Sequence, residues 1–181
     1  MKKILLTVLG LSFVSLVGCV TTGPQDKDKK EEAPVTPSLT LDKMDGINLR
    51  EVNVGNVVSY FGEPHIKGLV PNNSKQELYV YLNDENPQST RLAMTFDAKT
   101  KKLVLAKWFV LEKETESDFS SVQSRYAKDK LDLKKPLSIK DEIFGFPANL
   151  YRSPVSPLQV AVHKGSKKVG ALAWFMPAKK N

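Results

Sequence analysis

Hydrophobic and polar positions divide the chain into three parts. A largely apolar run occupies residues 4–17, directly after the basic pair Lys2-Lys3. Residues 20–38 contain few apolar side chains, mix both charge signs and include three prolines. From residue 39 onward apolar residues recur with short periods, which is typical of folded structure. The pattern predicts a leader, a polar connection and about 140 residues of folded chain.

Two stretches of the folded part repeat each other. Leu92–Val110 and Leu158–Met176 align without a gap at an offset of 66 residues. Each opens with large apolar residues alternating with small or polar ones, and this period of two predicts strands with one buried face. Trp108 and Trp174, the only tryptophans of the chain, fall at matching positions, each before a phenylalanine. The self-similarity predicts a tandem repeat of β-hairpins.

Helix endings precede both hairpins. Phe61-Gly62-Glu63-Pro64 and Phe144-Gly145-Phe146-Pro147 share glycine after the last turn and proline two residues later, which is a helix stop signal. We therefore predict helices over residues 57–61 and 139–144. A further amphipathic helix carries Phe119, Val122 and Tyr126 on one face.

Helix followed by antiparallel strands is thus the predicted unit. Residues 77–82 and 149–153 supply further candidate strands. Two such units, 39–113 and 114–181, predict an α+β two-layer sandwich with helices packed on one face of an antiparallel sheet. The repeat leaves open whether both units share one continuous sheet.

The leader ends in Leu16-Val17-Gly18-Cys19, which resembles the lipobox of bacterial lipoproteins. This resemblance implies a signal peptide over residues 1–18, cleavage before Cys19 and lipid on its thiol. The alternative is an ordinary secretory signal with a chance cysteine. Val20, where enteric-type bacteria use aspartate to retain lipoproteins in the inner membrane, implies the outer membrane. Residues 19–38 then form the lipidated cysteine and a tether with a mean reach of about 25 Å.

Charge is distributed unevenly along the chain. Residues 125–181 hold twelve basic and four acidic side chains, a net charge of +8, whereas residues 39–124 are slightly acidic. The basic half suits an anionic envelope surface or an acidic partner, although a solvated, solubilising surface explains lysines spread over turns and helix faces somewhat better. Nucleic acid is not an expected partner outside the cytoplasm.

Residues 57–64, VVSYFGEP, resemble the helix ending of the SmpA/OmlA family of small outer-membrane lipoproteins. Tyr79–Tyr81 and Leu92–Phe96 resemble strands of that family. Two such units in tandem are similar to the β-lactamase inhibitor protein fold. The family's Gly-Met-Thr turn is absent, since Val54-Gly55-Asn56 stands in its place. The resemblance implies a role in assembly of outer-membrane β-barrels, or inhibition of an enzyme.

Catalytic motifs do not emerge from the sequence. His65 and His163 stand apart from any metal-ligand spacing, and we assign them surface or capping roles. Neither a nucleophile elbow nor a phosphate-binding glycine loop occurs. We expect no metal, no cofactor and no catalysis, with an envelope hydrolase as the remote alternative.

The tryptophans carry the predicted binding site. If Asp97 pairs with Lys102 and the ladder continues regularly, Trp108 lies opposite Arg91 on the open face of the sheet. The repeat places Trp174 likewise, beside Gln159. Tryptophans with polar surroundings are typical of protein-binding hot spots. A shift of one residue would instead bury both rings.

We therefore expect a non-catalytic protein-binding or scaffolding lipoprotein, anchored to the outer membrane and facing the periplasm. The alternative is a lipid-tethered inhibitor of a periplasmic or secreted enzyme.

Cys19→Ser should abolish lipid modification, because the thiol is the acyl acceptor. Metabolic labelling with palmitate in cells measures this directly, and Thr21→Ser in the tether is the matched control. An unlabelled wild type would establish the ordinary secretory signal, and retention of label by Cys19→Ser would place the lipid on another residue.

Overall fold

The computed structural model describes residues 39–140 and 143–177. The predicted signal peptide, Cys19 and tether lie outside these residues. The described α-helices are α1 (Leu41–Asp45), α2 (Val57–Phe61) and α3 (Phe119–Arg125). The strands are β1 (Ile66–Val70), β2 (Asn73–Leu82), β3 (Thr90–Asp97), β4 (Leu103–Phe109), β5 (Leu137–Ile139), β6 (Ala148–Arg152), β7 (Leu158–His163) and β8 (Val169–Phe175).

One antiparallel sheet contains all eight strands, in the order β1-β2-β3-β4-β8-β7-β6-β5. Each half of the sheet is a four-strand meander, and β4 pairs with β8 at the seam between the halves. The two predicted repeats therefore form one continuous sheet.

An approximate two-fold axis passes through the seam. Lys107 pairs with Ala173, and these two positions differ by the 66 residues that separate the repeats. Phe109 pairs with Ala171, and Leu105 with Phe175, symmetrically on either side. The matching strands of the two repeats, β4 and β8, thus pair with each other.

The hairpin turns agree between the repeats. In the first, the Asp97 amide donates to the Lys102 carbonyl at 2.9 Å; in the second, the His163 amide donates to the Lys168 carbonyl at 2.8 Å. Lys101 and Lys167 adopt left-handed φ values of 59° and 60°.

A β-bulge follows each turn. Phe96 pairs with Leu103, but Thr95 pairs with Leu105, so Val104 is an extra residue in β4. Gly170 is the extra residue at the matching place in β8. A bulge shifts the register of every following pair by one residue, which exchanges the two faces of the strand.

The main hydrophobic core covers one face of the sheet, here called the core face. Strand residues on this face pack against α1, α2, α3 and the segment from Leu49 to Val52. Its largest fully buried side chains include Trp108, Tyr81, Phe96, Met44, Leu92 and Met94.

The predicted α+β two-layer sandwich is wrong. The described helices contain only five, five and seven residues, and the structure is mostly an eight-stranded antiparallel sheet. Helix α2 ends as predicted at Gly62, whose φ of 76° is a conformation that glycine adopts readily. Helix α3 also forms where it was predicted, and it buries Val122.

The helix predicted over residues 139–144 accounts for much of this error. Leu137–Ile139 form β5 and pair with β6, so the start of the segment completes the sheet. Residues 141 and 142 lie outside the described part. Gly145 has a φ of 78°, like Gly62, but here it reverses the chain in a turn. The glycine-proline pattern therefore marks a helix end in the first repeat and a chain reversal in the second.

The opposite side of the sheet, here called the second face, has a smaller hydrophobic cluster. Segment 143–147 contributes to it with Phe144 and, at its margin, Phe146. The ring of Phe146 stacks on His163 with centroids 3.8 Å apart.

Both outer strands carry features that oppose pairing with another chain. β1 contains Lys67 and a bulge between Leu69 and Val70, while β5 has only three residues. Charged side chains, bulges and short length are how proteins protect sheet edges.

Gly170→Ala should destabilise the fold by about 1–3 kcal/mol, because the added methyl group overpacks the second face. Its Cβ would lie 2.4 Å from Cζ of Phe146 and 2.7 Å from Nε2 of His163. Urea unfolding measures the loss. Gly165→Ala, with open space around its Cβ, is the control and should change stability by less than about 0.5 kcal/mol.

Adding Phe146→Ala to Gly170→Ala tests the cause. The double variant should cost less than the sum of the single variants, because removal of the ring makes room for the methyl group. Full additivity would contradict this packing account.

Candidate functional site

One row of residues crosses the second face perpendicular to the strands. Consecutive members are cross-strand partners, so their side chains are neighbours on the same face. From β1 to β6 the row reads Ile66, Val80, Ala93, Lys107, Ala173, Gln159 and Arg152. Small side chains flank Lys107, and the row becomes polar and basic toward β6.

Two phenylalanines flank the centre of this row. Phe109 and Phe175 occupy repeat-matched positions in β4 and β8. Both are partly exposed, and both also pack against the second-face cluster. Each is the second residue of a Trp-Phe pair, so the tryptophan enters the core and the phenylalanine faces outward.

Lys107 lies between these aromatic positions. Its Nζ donates to the carbonyl of Ile143 at 3.0 Å and lies 6.0 Å from the centroid of the Phe109 ring. Burial lowers the pKa of Lys107, because desolvation disfavours the charged amine. The centre of the second face therefore offers one amine among aromatic and small side chains.

The predicted open-face location of the tryptophans is wrong. Trp108 pairs with Leu92 rather than Arg91 and is completely buried; Trp174 retains only 8% exposure. The bulge at Val104 is the physical reason, because it shifts the predicted ladder by one residue. The turn pairing of Asp97 with Lys102, from which the ladder was counted, is present.

Arg91 does not lie on an open face either. It is the extra residue of another bulge, where Tyr81 pairs with Leu92 and Leu82 with Thr90. Its guanidinium lies 4.1 Å from the centroid of the Trp108 ring. Arg91 therefore covers the tryptophan and does not offer it to a partner.

A carboxylate completes this arrangement. Nη1 of Arg91 donates to Oε2 of Glu114 at 2.9 Å and to the Phe109 carbonyl at 2.7 Å, while Nη2 contacts Oε1 of Glu114. The Leu111 amide also donates to Glu114 at 2.9 Å. Burial alone would raise the pKa of Glu114, but these donors outweigh it and hold that pKa below its usual value.

Gln159 lies on the second face, as predicted, between Ala173 and Arg152 in the row. Its Oε1 is buried and has no hydrogen-bond partner among the described residues. A buried acceptor without a donor costs stability. The sequence analysis placed Gln159 beside Trp174 on one open face, whereas Trp174 lies on the core face.

The histidines do not converge on a reactive centre. Nδ1 of His65 accepts from the Leu82 amide at 3.2 Å, while His163 stacks on Phe146. Residues 39–140 and 143–177 contain no group of three potential metal ligands. None of the described helices is long and apolar enough to cross a membrane.

Comparison with known proteins yields no match: neither a family model, nor a curated protein, nor a solved structure resembles the chain significantly.

Glu114→Gln should lower the free energy of unfolding by about 2 kcal/mol near neutral pH, because it weakens charge-assisted bonds to Arg91. The folded-state pKa of Glu114 lies below the unfolded one. Its contribution is therefore complete above the unfolded pKa and disappears as pH falls through the folded pKa. The difference between wild type and variant should shrink below about pH 4.

Chemical unfolding across this pH range measures the effect. Glu112→Gln, two residues away and exposed, is the matched control and should remain close to wild type throughout. A wild-type advantage over Glu114→Gln that is unchanged at acid pH would contradict the ionic origin of the stabilisation.

Proposed function

We propose that this protein is an outer-membrane-anchored lipoprotein that faces the periplasm and binds a protein partner without catalysing a reaction. The second face, with Phe109 and Phe175 about the two-fold axis, is the observation that carries the binding role. Residues 16–19 support the anchor by their resemblance to a lipobox.

Aromatic side chains on a rigid sheet are effective anchors, because few rotatable bonds lose freedom on binding. The sheet is continuous on both sides of these residues, since β4 and β8 are its two central strands. Both rings are partly exposed, and the exposed parts can contact a partner's apolar groups.

The charges nearby specify the kind of partner. Lys107 lies between the two rings, and Arg152 ends the same row. A partner segment with apolar side chains flanked by carboxylates would match this surface. The interface would be small to moderate, so high local concentration matters for its occupancy.

A lipid anchor supplies that concentration. Both molecules would be confined near one membrane, and the tether's mean reach of about 25 Å would let the folded part search for its partner. A complex that is weak in free solution would then still form at the membrane.

A role in β-barrel assembly is the specific form suggested by the resemblance to the SmpA/OmlA family. Residues 57–64, which carry it, form α2 and the glycine that ends it. Inhibition of an envelope enzyme is the second candidate function. The partly exposed aromatic pair on one broad sheet supports this function as much as it supports a role in assembly.

Site-specific photocrosslinking in cells tests the proposal. Probes at Leu105 and Phe109 on the second face should form discrete adducts, whereas a probe at Ser120, exposed on α3, should not. Mass spectrometry identifies the adduct. An assembly component would support the first role, and a soluble enzyme would support inhibition.

The variants Phe109→Ala and Phe175→Ala should each weaken the identified complex by about 2 kcal/mol if the rings are hot spots. Thermal unfolding of both variants controls for loss of structure. Adducts that form only at Ser120 would show that the second face is not the docking surface. Undiminished binding by a folded variant that combines Phe109→Ala with Phe175→Ala would show the same.

A further inference from the structure

A cavity opens beside β6, where the row of the second face ends. Its volume is about 350 Å³, and its walls come from residue 50, the segment 152–159 and the end of β8. Arg50, Arg152 and Gln159 supply polar groups, while Pro154, Val155, Pro157, Leu158, Phe175 and Pro177 supply much of the apolar wall.

The cavity is basic. Arg50 and Arg152 line it, and neither forms a salt bridge with any residue of the described part of the chain. No acidic side chain is among its lining residues within that part. By contrast, Arg91 and Arg125 are each engaged with carboxylates. Two arginines without anionic partners suit phosphate, to which guanidinium groups donate in pairs.

Apolar residues beside the two arginines indicate the rest of the ligand. A phospholipid headgroup places carbon atoms within a few bonds of its phosphate. The cavity's apolar wall would contact the carbon atoms beside the phosphate.

The adjoining loop is suited to a membrane surface. Val155 is 62% exposed, the largest exposure among the large hydrophobic residues described. Oγ of Ser153 accepts from the amides of Val155 and Ser156 at 3.1 and 2.9 Å, which holds the loop in shape. An ordered loop can present an apolar tip to lipid without first losing conformational freedom.

We propose that this cavity binds the phosphate-bearing headgroup of an anionic phospholipid, with Val155 inserted at the headgroup boundary. The net charge of +8 over residues 125–181 would attract the domain to such a surface, and the arginine cavity would then fix its orientation. The inference shares the envelope location of the proposed function but needs no protein partner.

Vesicle binding tests the inference without the lipid anchor. A chain that begins at Val20 keeps all described core residues and lacks the leader and Cys19. It should bind phosphatidylglycerol vesicles and should not bind phosphatidylcholine vesicles. Arg50→Gln with Arg152→Gln should weaken binding about thirtyfold, at roughly 1 kcal/mol for each charge near the surface.

Lys134→Gln with Lys135→Gln is the matched control, because it removes the same charge from exposed positions of the basic half outside the cavity. Its effect should be less than about threefold. Equal losses of vesicle binding in both double variants would show that the cavity is not the binding site and that only diffuse electrostatic attraction acts. Absence of binding to phosphatidylglycerol would overturn the inference outright.

Two further experiments distinguish binding to a membrane from binding to soluble anions. Val155→Ser should weaken vesicle binding and leave the titration with inorganic phosphate unchanged. A glutamate-rich peptide that binds more tightly than the vesicles, or phosphate binding combined with unchanged vesicle binding by Val155→Ser, would overturn the lipid assignment. Vesicle binding and partner crosslinking are separate readouts, so failure of one proposal is distinguishable from failure of the other.

Discussion

Pairing of β4 with β8 is the interaction on which the rest of the structure depends. Each half alone is a four-stranded meander with a central edge left unpaired, and the seam removes both of these edges at once. The seam also builds the core, because Trp108 pairs with Leu172 and Ala106 with Trp174. Alternation of a large ring with a smaller neighbour lets both tryptophans fit on the same side.

The segments that cover this core tie the halves together. Arg125 of α3 donates to Asp45 of α1 at 2.7 Å and to Glu116 at 3.0 Å, and the Tyr126 hydroxyl donates to Asp45 at 2.8 Å. Burial raises the pKa of Tyr126, and the neighbouring Asp45 raises it further. Tyr126 also packs edge-on against Trp174. Helix α1 of the first half is thereby bonded to Tyr126, which covers the tryptophan of the second half.

Repeat symmetry and surface chemistry diverge on the second face. The phenylalanines are symmetric about the axis, but the polar groups are not: Ala93 of the first half matches Gln159 of the second. The corresponding strands likewise contribute Val80 on one side and Arg152 on the other. The basic cavity is thus formed mostly by the second half, and Arg50 is its contribution from the first. The two halves share one backbone scaffold, and their side chains make the two sides of the surface chemically distinct.

The sequence by itself determined the local features: alternating strands, polar turns, α2, α3 and the repeat of 66 residues. Each depends on contacts between near neighbours, so the pattern of side chains contains the information. Only the tertiary structure decided which face carries the tryptophans, because the extra residues Val104 and Gly170 leave no mark in a hydrophobic pattern. It also decided that residues 137–139 join an edge of the sheet, and that Gln159 and Arg50 meet at one cavity. Such outcomes depend on pairing between distant segments, where one residue of register exchanges buried and exposed sides.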